Sequence, residues 1–496
     1  MKMTLLSTLL FAVTSLAMRS QGAEHGVFTE AECPIPVSEE LASSGKFTFG
    51  YMTVPEFHEK RSSQAIELAV AIFKCKQDIA TKEPLILNSG GPGMSNLEDF
   101  VPTFDTPLGT FFLQERDVVI IELRGLEHSR PSLHTPALEK LQVELLDQHL
   151  TADELISKYS EAIRLAKEDF DKRGINLSAY NYWETASDLA FVMEKLGYEK
   201  FFAFGNSAGT IVAQYLLMEH SEHLAGLVLN AVANVPPGFN NMIVTSVNKL
   251  ESIFSELQEN EKYAQAYPNL KMRFLNAIVE LNESPDTITV QFQEGEDSNV
   301  VLTGDRVVDW LFSQMYWNTQ LPLSMHRIIH RDYSELLGNP GIFLPLQNFS
   351  NGSFWTMLLN GWSDPSEEQL LKGSEWEPFV EGMSTMVFSQ PFVMQIRDIL
   401  GVEYQPGHIK PMATHVPTLM LNGGEDHVCL ADSTRKLAES FDNAFCYIFE
   451  GIAHSPIDAG ECGIMMMKQF LDNPNTAPDA ACMEAFMKKP PFVLPE

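Results

Sequence analysis

A serine between two glycines is the first candidate for chemistry in this sequence. Ser207 stands in Gly205-Asn206-Ser207-Ala208-Gly209, after the apolar run 201–204 and before the helix-forming run 210–218. A serine on a sharp turn between a strand and a helix has its hydroxyl pushed outward, where it can attack an acyl carbon. Such a turn leaves no room for side chains two positions before and after the serine, which explains the glycines. We therefore predict that Ser207 is a nucleophile.

An acid and a base follow late in the chain. Asp426 comes after the predicted strand 416–423, and His454 comes after the next predicted strand, 444–449. Both side chains should therefore reach the sheet edge at which the strand before Ser207 ends. The chain order serine, aspartate, histidine suits a relay in which His454 is the base and Asp426 orients it. The neighbouring His427 is a poorer base, because adjacent side chains on a loop diverge from one another.

A glycine-rich loop could hold the negative charge that such a reaction develops. The run Ser89-Gly90-Gly91-Pro92-Gly93 follows the predicted strand 83–88 immediately, which leaves its backbone N–H groups free. We predict that the N–H groups of Gly91 and Ala208 form an oxyanion hole. This chemistry needs no cofactor and no metal, and none of the six cysteines has the spacing of a metal-binding motif.

The elements that must position these residues alternate at both ends of the chain. Two antiparallel strands are predicted within 47–75, and buried strands at 83–88, 116–122, 201–204, 224–229, 416–423 and 444–449. Helical patterns between the strands predict an α/β fold with a mostly parallel sheet and helices on both faces. Charged residues after the strand 116–122, such as Arg124, are interpreted as bracing loops.

The alternation stops in the middle of the chain. Between 236 and 408, helical and aromatic-rich segments predict an inserted helical cap over the carboxyl edge of the sheet, with its aromatic residues, Tyr316 among them, forming the cap's core. The predicted organisation is a core of 24–235 and 409–496 interrupted by that cap.

Composition and the amino terminus indicate export. A formal charge of −32 argues against a nucleic-acid partner and against an anionic membrane surface. Residues 1–23 have the short positive start, apolar run and small residues of a secretory signal, and the apolar run is too short to span a bilayer. A secreted or periplasmic location favours disulfides, for which the local candidates are Cys33 with Cys75 and Cys462 with Cys482.

Together these motifs resemble the α/β-hydrolase serine peptidases that include proline iminopeptidase and the secreted tripeptidyl aminopeptidases. The likeness is carried by Gly90-Gly91-Pro92-Gly93, Arg124-Gly125 with Ser129 and Pro131, 177–181, 205–210, Gly423 with Asp426, Ala453-His454, and the tail with Cys462 and Cys482. Three positions depart from the family pattern: Ser89 stands where a histidine is usual, Glu122 where an aspartate is usual, and Glu127 where a glycine is usual.

The resemblance implies the α/β-hydrolase fold with a cap, and an exported serine exopeptidase that cleaves peptides near a free amino terminus through an acyl-enzyme. Such an enzyme needs an acid for the substrate's ammonium group, and Glu98 and Asp99, just after the oxyanion loop, are candidates, as are Glu251 and Glu256 in the cap. One or three residues could leave per cleavage. A carboxylesterase with the same triad and a non-catalytic binding module on the same fold are the alternatives.

Overall fold

The computed structural model describes residues 24–60, 62–77, 79–233, 235, 242–292, 297–316, 319–345, 348–361, 371, 373–383, 390–403 and 405–495. The predicted secretory signal, 1–23, lies outside these residues. The strands are, in chain order, β1 (Phe28–Glu30), β2 (Phe47–Pro55), β3 (Ala65–Phe73), β4 (Leu85–Asn88), β5 (Val118–Ile121), β6 (Phe201–Asn206), β7 (Leu224–Asn230), β8 (Asp286–Val290), β9 (Ser298–Leu302), β10 (Thr418–Gly423) and β11 (Ala444–Phe449).

Within the described ranges, most strands join one nine-stranded sheet. Its order is β1-β2-β3-β5-β4-β6-β7-β10-β11. The pairs from β1 to β5 are antiparallel, and every later pair, from β5 with β4 to β10 with β11, is parallel. The predicted antiparallel beginning and the mostly parallel sheet are therefore confirmed. Because parallel strands point the same way, β4, β6, β7, β10 and β11 bring the loops that follow them to one edge.

Helices cover both faces of this sheet, as predicted. The described helices are, in chain order, α1 (Glu39–Ser43), α2 (Asn96–Phe100), α3 (Pro107–Phe112), α4 (Pro136–Glu144), α5 (Ala152–Lys172), α6 (Tyr182–Lys195), α7 (Ala208–Glu219), α8 (Met242–Glu259), α9 (Glu261–Ala266), α10 (Leu270–Glu283), α11 (Gly304–Gln314), α12 (Leu321–Ile329), α13 (Ser334–Gly338), α14 (Asn351–Gly361), α15 (Glu377–Met383), α16 (Gln390–Leu400), α17 (Ala431–Glu439) and α18 (Glu461–Asp472); α8 to α16 lie between β7 and β10. Alternate residues of β3 face opposite sides. Leu68 packs in the core that contains α6 and α7, whereas Phe73 packs in the core that contains α2 and α18.

The segment between β7 and β10 contains helices α8 to α16. Helices α8 to α13 and α15 surround a hydrophobic core of their own, whereas α14 and α16 pack in a separate core with α4 and α5. The helical interpretation of this segment missed β8 and β9, which form a two-stranded antiparallel sheet. Buried Val290 and Leu302 anchor that hairpin in the segment's core, and Phe492 from the carboxyl-terminal tail packs into the same core. In the part of the chain that the structure describes, no helix combines the length and the apolar character needed to cross a membrane.

The two predicted cysteine pairs have different outcomes. Cys462 in α18 forms a disulfide with Cys482, as predicted. The pairing of Cys33 with Cys75 was wrong, because both thiols are free. The thiol of Cys75 instead donates to the backbone carbonyl of Gln77 at 3.3 Å, and its backbone N–H is held by Asp117 at 2.8 Å.

Candidate active site

Ser207 occupies a strained turn between β6 and α7. Its φ of 50° and ψ of −118° lie outside the regions that residues with a Cβ favour, at a cost of about 1–3 kcal/mol. A Cβ added at Gly205 would lie 2.5 Å from the carbonyl oxygen of Gly209. One added at Gly209 would lie 2.5 Å from the carbonyl oxygen of Ser89. The steric reason given for both glycines is thus confirmed, and the turn holds the serine at the sheet edge.

His454 and Asp426 come together as the predicted relay requires. His454 Nδ1 lies 2.7 Å from Asp426 Oδ2. The other oxygen of Asp426 accepts backbone N–H groups of Val428 and Cys429, each at 2.9 Å. The carboxylate side chain is fully buried and the imidazole is 14% exposed. With Nδ1–H donating to the carboxylate, Nε2 is the nitrogen left to accept a proton.

The residues beside Ser207 and His454 are joined by a buried amide. Asn230, at the end of β7, donates from Nδ2 to Asn206 Oδ1 and to Ser455 Oγ, both at 2.8 Å. Its backbone carbonyl accepts the N–H of Ser207 at 2.9 Å. This network places the serine turn and the histidine loop side by side. Sequence reasoning missed Asn230, because only the register of β7 against β6 puts it opposite Asn206.

The hydroxyl of Ser207 lies beside a cysteine. Cys429 is buried and free, and among the groups that shift the pKa of its thiol the Ser207 hydroxyl acts to lower it. Burial and the charge of Asp426 raise the pKa of this thiol well above its ordinary value. Among the hydrogen bonds of the described residues, none joins Ser207 to His454. The only sequence signal for Cys429 is its place three residues after Asp426, in the same loop.

The glycine loop lies against the serine turn. A Cβ added at Gly90 would lie 3.1 Å from Ser207 Cβ, so this loop approaches as closely as a glycine backbone allows. Gly91 has a φ of +66°, in the left-handed region that favours glycine. Ala208 is the first residue of α7, where helix N–H groups have no partner within the helix. Gly91 and Ala208 line the same pocket, and their oxyanion role remains a prediction.

The two acids predicted to hold a substrate ammonium group both have partners. Glu98 Oε1 lies 2.9 Å from His128 Nε2, and Asp99 accepts a hydrogen bond from Ser89 Oγ. Both acids belong to α2, the helix directly after the glycine loop. Among the contacts of the described residues, neither carboxylate touches Ser207.

The acids considered in the inserted segment are also ion-paired. Glu251 binds Lys271 at 2.6 Å and accepts the indole N–H of Trp376 at 2.7 Å. Glu256 binds Lys489 at 2.7 Å, which links α8 to the carboxyl-terminal tail. Both residues therefore stabilise the packing of the inserted segment.

One aromatic residue of the inserted segment packs against that segment's core, as predicted, and also reaches the site. Tyr316 meets His454 edge-on, with ring centroids 5.0 Å apart, and meets His427 at 5.2 Å. Burial lowers the pKa of His427 to about 4, and neither of its ring nitrogens has a hydrogen-bond partner. These surroundings agree with the choice of His454 over His427 as the base. No pattern distinguishes Tyr316 from the segment's other aromatic residues.

Solved structures resemble this chain at low sequence identity. No curated protein matches the sequence. Among solved structures, a proline iminopeptidase from Mycobacterium smegmatis aligns over 86% of this chain and 98% of its own, with 12% identity and a TM-score of 0.36. A thermophilic esterase from Thermogutta terrifontis aligns over 86% and 99%, with 14% identity and a TM-score of 0.35. A juvenile hormone epoxide hydrolase from the silkworm Bombyx mori aligns over 88% and 80%, with 11% identity and a TM-score of 0.35. Likenesses this distant carry no argument about the substrate.

A family comparison covers most of the chain. The sequence profile described as alpha/beta hydrolase fold matches residues 83–460, a span that includes Ser207, Asp426 and His454. The chain therefore belongs to the alpha/beta hydrolase fold family.

Proposed function

We propose that this hydrolase is an exported serine exopeptidase that cleaves peptide bonds near free amino termini. The observation that carries the proposal is the hydrogen bond of 2.7 Å between His454 and Asp426, beside a serine held in a strained turn. These three residue types in this chain order suit acyl transfer. The two acids in α2, close behind the glycine loop, favour a positively charged substrate end.

The proposed reaction proceeds through an acyl-enzyme. Ser207 Oγ turns toward His454 by rotation about χ1 and attacks the scissile carbonyl, while His454 Nε2 takes its proton. Asp426 stabilises the imidazolium that results, and the N–H groups of Gly91 and Ala208 bind the oxyanion. His454 then gives the proton to the leaving amine. Water, deprotonated by His454, attacks the acyl-enzyme and restores Ser207.

We assign Glu98 and Asp99 to the substrate's ammonium group within this proposal. Glu98 lies within hydrogen-bond distance of His128, and a substrate ammonium group would replace His128 or bind beside it. Asp99 accepts from Ser89, the residue that begins the glycine loop, so binding at Asp99 would act directly on the loop beside Ser207. Both carboxylates would then fix the distance from the amino terminus to the cleaved bond.

A carboxylesterase is the second candidate, and one observation favours it. Both acids in α2 are already engaged, Glu98 with His128 and Asp99 with Ser89. An ester substrate needs no ammonium clamp, and its alkoxide leaves with less help than an amine does. The same triad would serve this reaction without any change.

The organisation of the chain supports both candidates. We propose that 24–235 and 409–496 form the catalytic core and that 236–408 form a cap over it. The contact of Tyr316 with His454 supports this placement, as does the backbone hydrogen bond of 2.8 Å from Ser350 to Gly93 in the glycine loop. We also propose export, which the disulfide between Cys462 and Cys482 supports, because such bonds persist in oxidising compartments.

A panel of chromogenic substrates separates the candidates. Prolyl-, alanyl- and tripeptidyl-anilides are assayed with free and with blocked amino termini, beside p-nitrophenyl esters, using the parent and Ser207→Ala. An exopeptidase cleaves the anilides with free amino termini and does not cleave the blocked ones. The turnover number of Ser207→Ala is several orders of magnitude lower than that of the parent. Cleavage of esters alone would favour the carboxylesterase. If a fluorophosphonate failed to label Ser207, a non-catalytic binding module would replace both.

A further inference from the structure

Three potential metal ligands meet in the loops that hold the triad. Asp426, Cys429 and His454 each offer one ligand atom, and these atoms all lie within 4.8 Å of one another. Asp426 and Cys429 are buried and His454 is half-buried, so the group is not an exposed acidic cluster. No sequence motif marks this group, because two ligands come from the loop after β10 and one from the loop after β11.

Local structure turns the thiol toward the other two ligands. Asp426 Oδ1 accepts the backbone N–H of Cys429, which curls the chain between β10 and α17 back on the carboxylate. The Sγ atom of Cys429 lies within 4.8 Å of the ligand atoms of Asp426 and His454, so the thiol points into the site. Cys429 forms no disulfide. A thiol placed in this way is available to a metal without any backbone rearrangement.

The ligand set selects the kind of ion. Thiolate and imidazole suit zinc, whereas magnesium and calcium prefer oxygen ligands. Zinc bound at about 2.0–2.3 Å from each ligand would place tetrahedral ligand atoms roughly 3–4 Å apart. The Asp426–His454 pair, now 2.7 Å apart, would widen slightly, and the other ligand atoms already lie within 4.8 Å. The fourth position would go to water or to the Ser207 hydroxyl.

We propose that Asp426, Cys429 and His454 form an inhibitory Zn²⁺ site. Zinc displaces the proton of the Cys429 thiol to solvent and binds His454 through Nδ1, whose proton moves through solvent to Nε2. The histidine so bound no longer accepts the proton of Ser207, and the nucleophile stays inactive until the ion leaves. The proposal concerns inhibition and does not depend on whether the substrate is a peptide or an ester.

Zinc inhibition of the parent and of matched cysteine variants tests the site. The rate of fluorophosphonate labelling of Ser207 is measured in the full-length protein against Zn²⁺ concentration, each protein relative to its own metal-free rate. Cys429→Ala should raise the half-inhibiting concentration by about tenfold or more. Cys446→Ala is the control, because Cys446 lies within β11 opposite Met420, and it should keep the sensitivity of the parent.

A second readout does not require activity. Co²⁺ substitutes for zinc, and its binding to a thiolate gives a charge-transfer absorption that the parent and Cys446→Ala should show and Cys429→Ala should lack. Cys429→Ser, which keeps the size of the side chain, replaces Cys429→Ala if the latter fails to fold. Equal zinc sensitivity in the parent and the Cys429 variants would overturn the proposal. So would the same cobalt absorption in the parent and the Cys429 variants, or a parent that zinc does not inhibit.

Discussion

Ser455 Oγ donates to Asn206 Oδ1 at 3.3 Å, so the residue after the proposed base touches the residue before the proposed nucleophile. Asn230 completes this contact by donating to both of them. Because its side chain is fully buried, these hydrogen bonds do not compete with bulk water. The relative position of Ser207 and His454 therefore depends on a residue that touches neither side chain of the pair.

Asn230→Ala should slow the labelling of Ser207 by a fluorophosphonate by about tenfold to a hundredfold, because a displacement of about 1 Å at reacting groups has such an effect. With a substrate, kcat should fall and KM should change much less. Asn230→Asp keeps the size of the side chain but cannot donate when ionised, so it should behave like Asn230→Ala. Asn443→Ala removes a surface amide pair with Asn475 and is the matched control. Full activity of Asn230→Asp would show that the donated hydrogen bonds do not position the site.

The sequence predicted those parts of the fold in which short apolar runs alternate with helical patterns. Strands β4, β6, β7 and β10 are short and mostly buried, β11 is short and partly buried at the sheet edge, and helical patterns separate them. Each was predicted to within two residues at either end. The hairpin of β8 and β9 was missed because its five-residue strands lie among helices of the inserted segment. Their alternation of buried and exposed residues is too short to compete with the surrounding helical pattern.

Two sequence signals predicted part of the candidate site: the order of the residues along the chain and the glycine-rich turn around the serine. These signals select Ser207, Asp426 and His454. They cannot select Cys429 or Tyr316, because those positions depend on how loops and an inserted segment pack in space. The failed pairing of Cys33 with Cys75 has the same cause, since nearness in sequence does not bring two thiols together.

We expect Gly209→Ala to displace the serine turn and to slow the reaction of Ser207. The new Cβ would lie 2.5 Å from the carbonyl oxygen of Ser89 and 2.6 Å from that of Asn88, and backbone atoms cannot turn aside. The start of α7 must then move away from the glycine loop, and kcat or the labelling rate should fall by about a hundredfold. Gly338→Ala, where no atom lies within 4 Å of the added Cβ, should leave both unchanged. A Gly209→Ala protein with the rate of the parent would contradict this account of the turn.

We expect Arg124→Met to lower the free energy of unfolding. Arg124 is fully buried and binds Asp188 through two hydrogen bonds of 2.7 Å, which agrees with its interpretation as a loop brace. Burial alone would raise the pKa of Asp188, but Arg124 and His58 outweigh burial and lower it. Without Arg124 the carboxylate is buried without its main partner, and the free energy of unfolding in urea should fall by about 3–5 kcal/mol.

The exposed ion pair of Arg164 with Glu161 gives the control for that experiment. Arg164→Met should change the free energy of unfolding by less than about 1 kcal/mol. Because the pKa of Asp188 is lowered in the folded protein, its contribution should be complete above about pH 4 and should fade as the pH falls further. A loss in Arg124→Met no larger than in Arg164→Met would show that the buried pair is not a brace.

Glu122 should make the protein less stable as the pH rises toward neutrality. Its carboxyl is fully buried behind the glycine loop, where it accepts the N–H of Leu97 at 3.2 Å. Burial raises its pKa from 4.5 to about 7, so the folded protein holds this proton more tightly than the unfolded chain does. The contribution is therefore complete below about pH 4.5 and is lost as the pH rises through about 7, a change of about 3 kcal/mol. In urea unfolding across this range, Glu122→Gln should remove that part of the pH dependence, whereas Glu30→Gln, at an exposed position of β1, should keep it. The same pH dependence in Glu122→Gln and the parent would place the titrating group elsewhere.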